Sequence, residues 1–85
     1  MANWRQYHIL RRSGDVDGAI HVLEQMLQRR QMPADACVAL AKLYEHKKKD
    51  YRRALDCAEQ AKRHGADPAE IDRRIERLKG KLEWS

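Results

Sequence analysis

The chain has 85 residues, of which 42% are hydrophobic and 36% are charged, and its formal net charge at pH 7 is +5. This length fits one domain and argues against a deep enzyme cleft, while the composition argues against both a solvating tail and a membrane protein. The positive charge favours acidic partners, whether peptide, nucleic acid or anionic lipid.

Helix-forming residues dominate the sequence, and no segment shows the period-two alternation of a strand. Breaking residues divide the chain at four places, 13 to 15, 32 to 33, 47 to 50 and 64 to 68. The pattern therefore predicts five helices, at about 2 to 12, 16 to 30, 34 to 47, 51 to 64 and 68 to 84. Asp67 and Pro68 are expected to begin the fifth helix, and Gly65 is expected to end the fourth.

An internal repeat appears when the chain is aligned with itself at an offset of 35 residues. Ala19 then aligns with Ala54, and Pro33 aligns with Pro68. Apolar positions that follow each proline also coincide. The offset predicts repeated helix pairs, with the last helix beginning a third copy.

The middle copy resembles the tetratricopeptide repeat, a family of paired helices with small residues at the helix crossings. Leu40, Ala41 and Tyr44 match the first helix of that pattern. Ala54 and Ala61 match small residues of the second helix, whereas Ala58 stands where the family has an aromatic residue. One extra residue lies between Tyr44 and Ala54. The resemblance implies an all-α domain of antiparallel helix-turn-helix repeats, about two and a half of them, forming a short right-handed solenoid over 1–85. Repeat 1 would span 1–32, repeat 2 would span 33–67, and 68–84 would be a capping or third-repeat helix.

The segment 40–61, followed by "RRIERLKGKL", is also similar to helical-repeat tails that follow the ribonuclease H-like exonuclease domain of some bacterial proteins. This sequence supplies no clustered acidic residues of the kind such nucleases use to bind metal ions. The similarity therefore implies a non-catalytic tail.

The tetratricopeptide resemblance implies a concave face that holds an extended peptide or a partner helix. Carried onto this sequence, that face consists of Trp4, His8, either Arg11 or Arg12, Asp35, Val38, Lys42, Glu45, Arg73 and Arg77. Its balance is basic, so we expect a non-catalytic scaffold that binds an acidic peptide or helix. The family's clamp for a terminal carboxylate is not expected, because Trp4 and His8 occupy two of its places.

A second basic surface supports an alternative, a nucleic-acid-binding accessory domain of a larger nuclease-type protein. This surface consists of Lys47, Lys48, Lys49, Arg52 and Arg53. A solvated turn between helices is the competing and favoured interpretation, because no aromatic residue is interleaved for base stacking. Self-association, through an open end of the stack or through Trp84, is a third possibility.

No catalytic residue, metal or cofactor is predicted. The histidines and cysteines lack the spacing of zinc ligands, and Ser13 lies in a tight turn without the context of a nucleophile elbow. Cys37 and Cys57 are twenty residues apart and are expected to act as small hydrophobic residues. The cysteine usage and the lack of a signal-peptide pattern or a long apolar run lead us to expect a cytoplasmic protein that does not enter the membrane.

Overall fold

Five α-helices and one π-helical turn form the part of the chain that the computed structural model describes, residues 4 to 84, with side chains for residues 4 to 83. The elements are α1 (Trp4–Arg12), α2 (Val16–Gln28), α3 (Pro33–Leu43), the π turn (Tyr44–Lys48), α4 (Tyr51–Arg63) and α5 (Pro68–Trp84). The described residues include no strand, so the prediction of an all-α chain with five helices is confirmed. The predicted first two residues of helix 1 and the side chain of Trp84 lie outside the described residues.

Aspartates begin three of the helices. Asp15, Asp50 and Asp67 precede α2, α4 and α5, and each side chain accepts a backbone N–H two or three residues later, at 2.9, 3.2 and 3.1 Å. These bonds satisfy N–H groups that have no partner inside the helix. The predicted start of the last helix at Asp67 and Pro68 is correct.

Three helices end in the same way. Gly14, Arg30 and Gly65 have positive φ angles of 83°, 56° and 94°, and they end α1, α2 and α4. In each case the next residue donates its backbone N–H to the carbonyl five residues before it, at 2.9 to 3.0 Å. This is the Schellman closure, which satisfies the last carbonyls of the helix.

After α3, the hydrogen bond that closes the helix spans one residue more than in the three helices above. Lys49 has the left-handed φ of 55°, and the N–H of Asp50 bonds the carbonyl of Tyr44, six residues earlier, at 2.9 Å. A π turn inserts one residue into a helix. The extra residue noted between Tyr44 and Ala54 is therefore absorbed by the π turn at Tyr44–Lys48.

Each helix packs against the next along the chain, and no described helix is long and apolar enough to cross a membrane. Alanines with no exposed surface lie where helices meet, including Ala41 and Ala54, the two residues predicted at the crossing. Because these side chains are short, neighbouring helices can approach closely. Large apolar side chains fill the remaining space, namely Leu23, Met26, Leu40, Ile71 and Leu78.

Candidate functional site

A groove runs between α1 and α3 and encloses about 210 Å³. Its lining residues are Trp4, Tyr7, His8, Arg11, Asp35, Val38, Ala39 and Lys42. The structure therefore brings together six of the residues predicted for a binding face, all of them from the first and third helices. We call this feature the α1/α3 groove.

Aromatic rings form the α1 wall of the groove. Trp4 and Tyr7 have ring centroids 5.1 Å apart, and the ring of His8 lies 5.7 Å from Trp4 and 5.1 Å from Tyr7. Spacings of three and four residues place these side chains on one side of the helix. Tyr7 is buried and joins the core, so it anchors the wall while Trp4 and His8 remain accessible.

Val38 and Ala39 supply apolar contact surface from α3, and exposed charged residues stand on either side of them. Asp35 and Lys42 are seven residues apart, which is two helical turns or about 10 Å. Lys42 and Arg11 are both exposed. With two basic side chains and one carboxylate, the α1/α3 groove has a positive balance.

Arg12 does not line the groove. It borders a neighbouring depression on α1 with Arg5 and Ile9, to which His8 and Arg11 also contribute. Ile9 is 58% exposed there. Of the two alternatives, Arg11 and Arg12, Arg11 is the residue that lines the groove.

Glu45 requires a correction, because it does not face an open groove. Its side chain is buried, and its carboxylate accepts hydrogen bonds from Arg74, Arg77 and Lys81 of α5. Arg77 binds both oxygens, each at 2.9 Å, whereas Arg74 and Lys81 each bind one at 3.0 Å. The regular helix assumed from sequence takes no account of the π turn in which Glu45 lies.

The cations of α5 keep Glu45 ionised. Burial by itself raises the pKa of this carboxyl, but the hydrogen bonds and charges of Arg77 and Lys81 outweigh it and lower the pKa from 4.5 to about 2. Glu45 in turn raises the pKa of Arg77. At neutral pH this is a charged cluster.

The two predicted residues on α5 differ in their surroundings. Arg77 is half-exposed and tied to Glu45, whereas Arg73 is exposed and lies outside the α1/α3 groove. Neither residue lines the same depression as Trp4 and His8. The predicted continuous face is thus divided into the α1/α3 groove and the Glu45 cluster, which we define as Glu45, Arg74, Arg77 and Lys81.

The alternative basic surface is partly occupied by ion pairs. Lys48 pairs with Asp17 of α2, and Arg53 pairs with Asp50 at 3.4 Å. The guanidinium of Arg53 also lies 5.9 Å from the ring centroid of Tyr44. Exposed side chains without an ion pair in the described structure remain at three of the five positions, Lys47, Lys49 and Arg52.

Neither cysteine is activated as a nucleophile. Cys37 is buried and Cys57 is half-buried, and burial raises the pKa of both thiols, that of Cys57 to about 12. A protonated thiol is a poor nucleophile. Within residues 4–83, no group of three or more His, Cys, Asp or Glu side chains could hold a metal ion.

Sequence reasoning missed Arg74 and Lys81 as members of the Glu45 cluster. Arg74, Arg77 and Lys81 are spaced by three and four residues, which places them in one stripe along α5. That stripe was visible in the sequence. Its partner was not, because Glu45 lies 29 to 36 residues earlier in the chain.

Comparisons with known proteins returned no match among protein-family models, curated proteins or solved structures. The function must therefore be argued from the groove and from the charged cluster of this chain.

Proposed function

We propose that this chain is a non-catalytic protein-interaction module whose α1/α3 groove binds an acidic segment of a partner protein. The observation that carries the proposal is the composition of the groove. Exposed Arg11 and Lys42 flank an apolar surface, and the rings of Trp4 and His8 form one wall. Such a site combines long-range attraction for an acidic segment with apolar contact for its side chains.

We further propose that the helices form about two and a half tetratricopeptide-like repeats in a right-handed solenoid. Backbone features that recur at the predicted 35-residue offset support this fold. Aspartate caps occur at Asp15 and Asp50, and left-handed residues occur at Gly14 and Lys49. A further left-handed pair consists of Arg30 and Gly65.

In this arrangement α5 acts as a capping helix. Its buried face consists of Ile71, Ile75 and Leu78, while its exposed side chains between residues 70 and 79 are all charged. A polar outer face is what the end of a repeat stack requires in water. We assign the module to the cytoplasm, an assignment supported by its two unpaired cysteines.

The groove proposal is tested by selecting short random peptides on the immobilised protein and measuring the affinity of the enriched peptides by fluorescence anisotropy. We expect enriched peptides to carry Asp or Glu beside an apolar residue. The double variant Arg11→Glu and Lys42→Glu should weaken their binding by about tenfold or more, since it reverses both cations of the groove.

A matched control separates the groove from a general effect of charge. The double variant Lys47→Glu and Arg52→Glu makes the same change of charge at exposed positions outside the groove, and it should bind the selected peptides as tightly as the unmodified protein. Equal losses in both double variants would contradict the groove. The nucleic-acid alternative predicts a different result. A short single-stranded oligonucleotide would bind the unmodified protein with an affinity that falls steeply with salt, and binding would be lost only in Lys47→Glu and Arg52→Glu.

A further inference from the structure

The Glu45 cluster contains more positive charge than its carboxylate neutralises. Arg74, Arg77 and Lys81 contact the single carboxylate of Glu45, which leaves a surplus of two positive charges. Within residues 4–83, no second acidic side chain lies within ion-pairing distance of these three cations. Glu70, one turn before Arg74 on α5, is exposed and forms no ion pair with it.

Two of the three cations face solvent and keep donors free. The side chains of Arg77 and Lys81 are 49% and 38% exposed. Arg77 uses Nε and Nη2 to bind the two oxygens of Glu45, so Nη1 has no bond to the carboxylate. An ammonium has three donors, and one N–H of Lys81 is spent on Glu45.

The surrounding structure fixes these two groups close together. Arg77 Nε and Lys81 Nζ lie 2.9 and 3.0 Å from the same oxygen of Glu45, which holds the guanidinium and the ammonium side by side. The ammonium of Lys81 also lies 5.0 Å from the ring centroid of Tyr51, a cation–π contact that restricts its position. Buried Glu45 thus acts as a positioning group for two cations.

Neutralising and hydrogen-bonding the carboxylate of Glu45 does not require three cations. One bidentate arginine satisfies both oxygens of a carboxylate, and additional cations nearby repel one another. Arg74 is almost fully buried, and its Nε has no hydrogen-bond partner. A bound external anion would offset the repulsion.

We propose that Arg77 and Lys81, held in place by Glu45, form a binding site for a phosphomonoester dianion, either free phosphate or a phosphoryl group carried by a peptide. A phosphomonoester has a charge of about −1.5 to −2 at neutral pH, which matches the surplus of the cluster. Arginine presents a planar fork suited to phosphoryl oxygens, and lysine adds a point charge. This inference goes beyond the proposed function, because the site lies outside the α1/α3 groove.

Inorganic phosphate is the first probe, added at constant ionic strength and pH with chloride as the reference anion. At a phosphate concentration tenfold above its dissociation constant, we expect the thermal midpoint of unfolding to rise by about 6 to 11 °C. Lys81→Gln should lose most of that increment. Lys62→Gln is the matched control, because Lys62 is a similarly exposed lysine on an ion pair with Asp72, and it should retain the increment.

The change in midpoint caused by phosphate, rather than the midpoint itself, is the decisive quantity, since Lys81→Gln lowers the baseline stability if the cluster is only structural. Equal increments in the unmodified protein and Lys81→Gln, or no increment in either, would overturn the proposal. Arg77→Lys provides a second variant that keeps the charge and removes the fork, and it should weaken phosphate binding by about tenfold.

Titration calorimetry with a phosphoserine peptide and its unphosphorylated counterpart distinguishes the two sources of the anion. Tighter binding of the phosphopeptide than of inorganic phosphate identifies a peptide-borne group, whereas equal affinity identifies the free ion. A single-stranded oligonucleotide carries singly charged phosphodiesters. If it binds at this site more tightly than either phosphomonoester probe, the proposed preference for a dianion is incorrect.

Discussion

At the scale of single residues, Glu45 shows how burial changes the role of a charged side chain. A carboxylate with no exposed surface loses its hydration, which is costly unless charged hydrogen-bond donors replace the water. Three side chains of α5 supply those donors. Glu45 therefore joins the π turn to the last helix by polar contacts, whereas Ile71 and Leu78 of that helix are buried in the apolar core.

We expect Glu45→Gln to lower the free energy of unfolding by about 2 to 4 kcal/mol, because the variant leaves three clustered cations without a counter-charge. Urea unfolding followed by circular dichroism measures this difference. Glu83→Gln makes the same chemical change at an exposed position of α5 and should cost less than about 0.5 kcal/mol. Equal stabilities of the two variants would contradict the role assigned to Glu45.

The same pair of variants carries a signature in pH. Because the folded-state pKa of Glu45 is lowered from 4.5 to about 2, its contribution is fully present above the unfolded-state value and is lost as pH falls from about 4.5 towards 2. This loss of unfolding free energy between pH 4.5 and 2 is on the order of 3 kcal/mol by linkage. When the free energy of unfolding is measured against pH, the loss should be missing in Glu45→Gln and present in Glu83→Gln.

At the scale of elements, helix ends differ in the residue that occupies the left-handed position. Gly14 and Gly65 adopt positive φ without a Cβ, whereas Lys49 adopts φ of 55° with a full side chain at the end of the π turn. The left-handed conformation costs a non-glycine residue about 1 to 2 kcal/mol. The π turn thus ends at a strained residue.

Lys49→Gly should accordingly stabilise the protein by about 0.5 to 1 kcal/mol, because relief of strain exceeds the added entropy of the unfolded chain. The matched control is Lys47→Gly, which removes the same charge from a helical position of the π turn and should destabilise by a similar amount. Thermal unfolding of both variants measures the two shifts. A stabilising shift in neither variant would argue against a left-handed Lys49.

At the scale of the whole molecule, the packing of the helices depends on small residues where they cross. Ala54, Ala58 and Ala61 have no exposed surface, and they let α4 pack against its neighbours on both sides. Since interiors are packed to near crystalline density, a larger side chain has no space there. The arrangement of the helices is therefore sensitive to volume at these positions.

Ala54→Trp should overpack the crossing and lower the free energy of unfolding by about 1 to 3 kcal/mol or more. Arg52→Trp places the same side chain at an exposed position one half-turn earlier on α4 and should change stability by less than about 0.5 kcal/mol. Denaturant unfolding of both variants gives the comparison. An unchanged midpoint in Ala54→Trp would contradict the close helix approach at this residue.

Much of this structure follows from local sequence. Asp50 and Asp67 begin helices because their side chains accept backbone N–H groups nearby, and Gly65 ends one because it adopts positive φ without strain. These interactions involve residues two to five positions apart. They are therefore visible before any tertiary contact is known, as were the all-α class and the alanines at the crossing.

Only the tertiary structure decided which charged side chains are buried and which are exposed. Sequence placed Lys42 and Glu45, three positions apart, on one accessible face, yet Lys42 borders the α1/α3 groove and Glu45 is buried against α5. The difference arises because Glu45 lies in a π turn and because α5 returns its cations from about thirty residues further along. Helical periodicity specifies which side chains share a face. Whether a charged side chain on that face is buried in an ion pair or stays exposed for binding depends on which other helix packs against it.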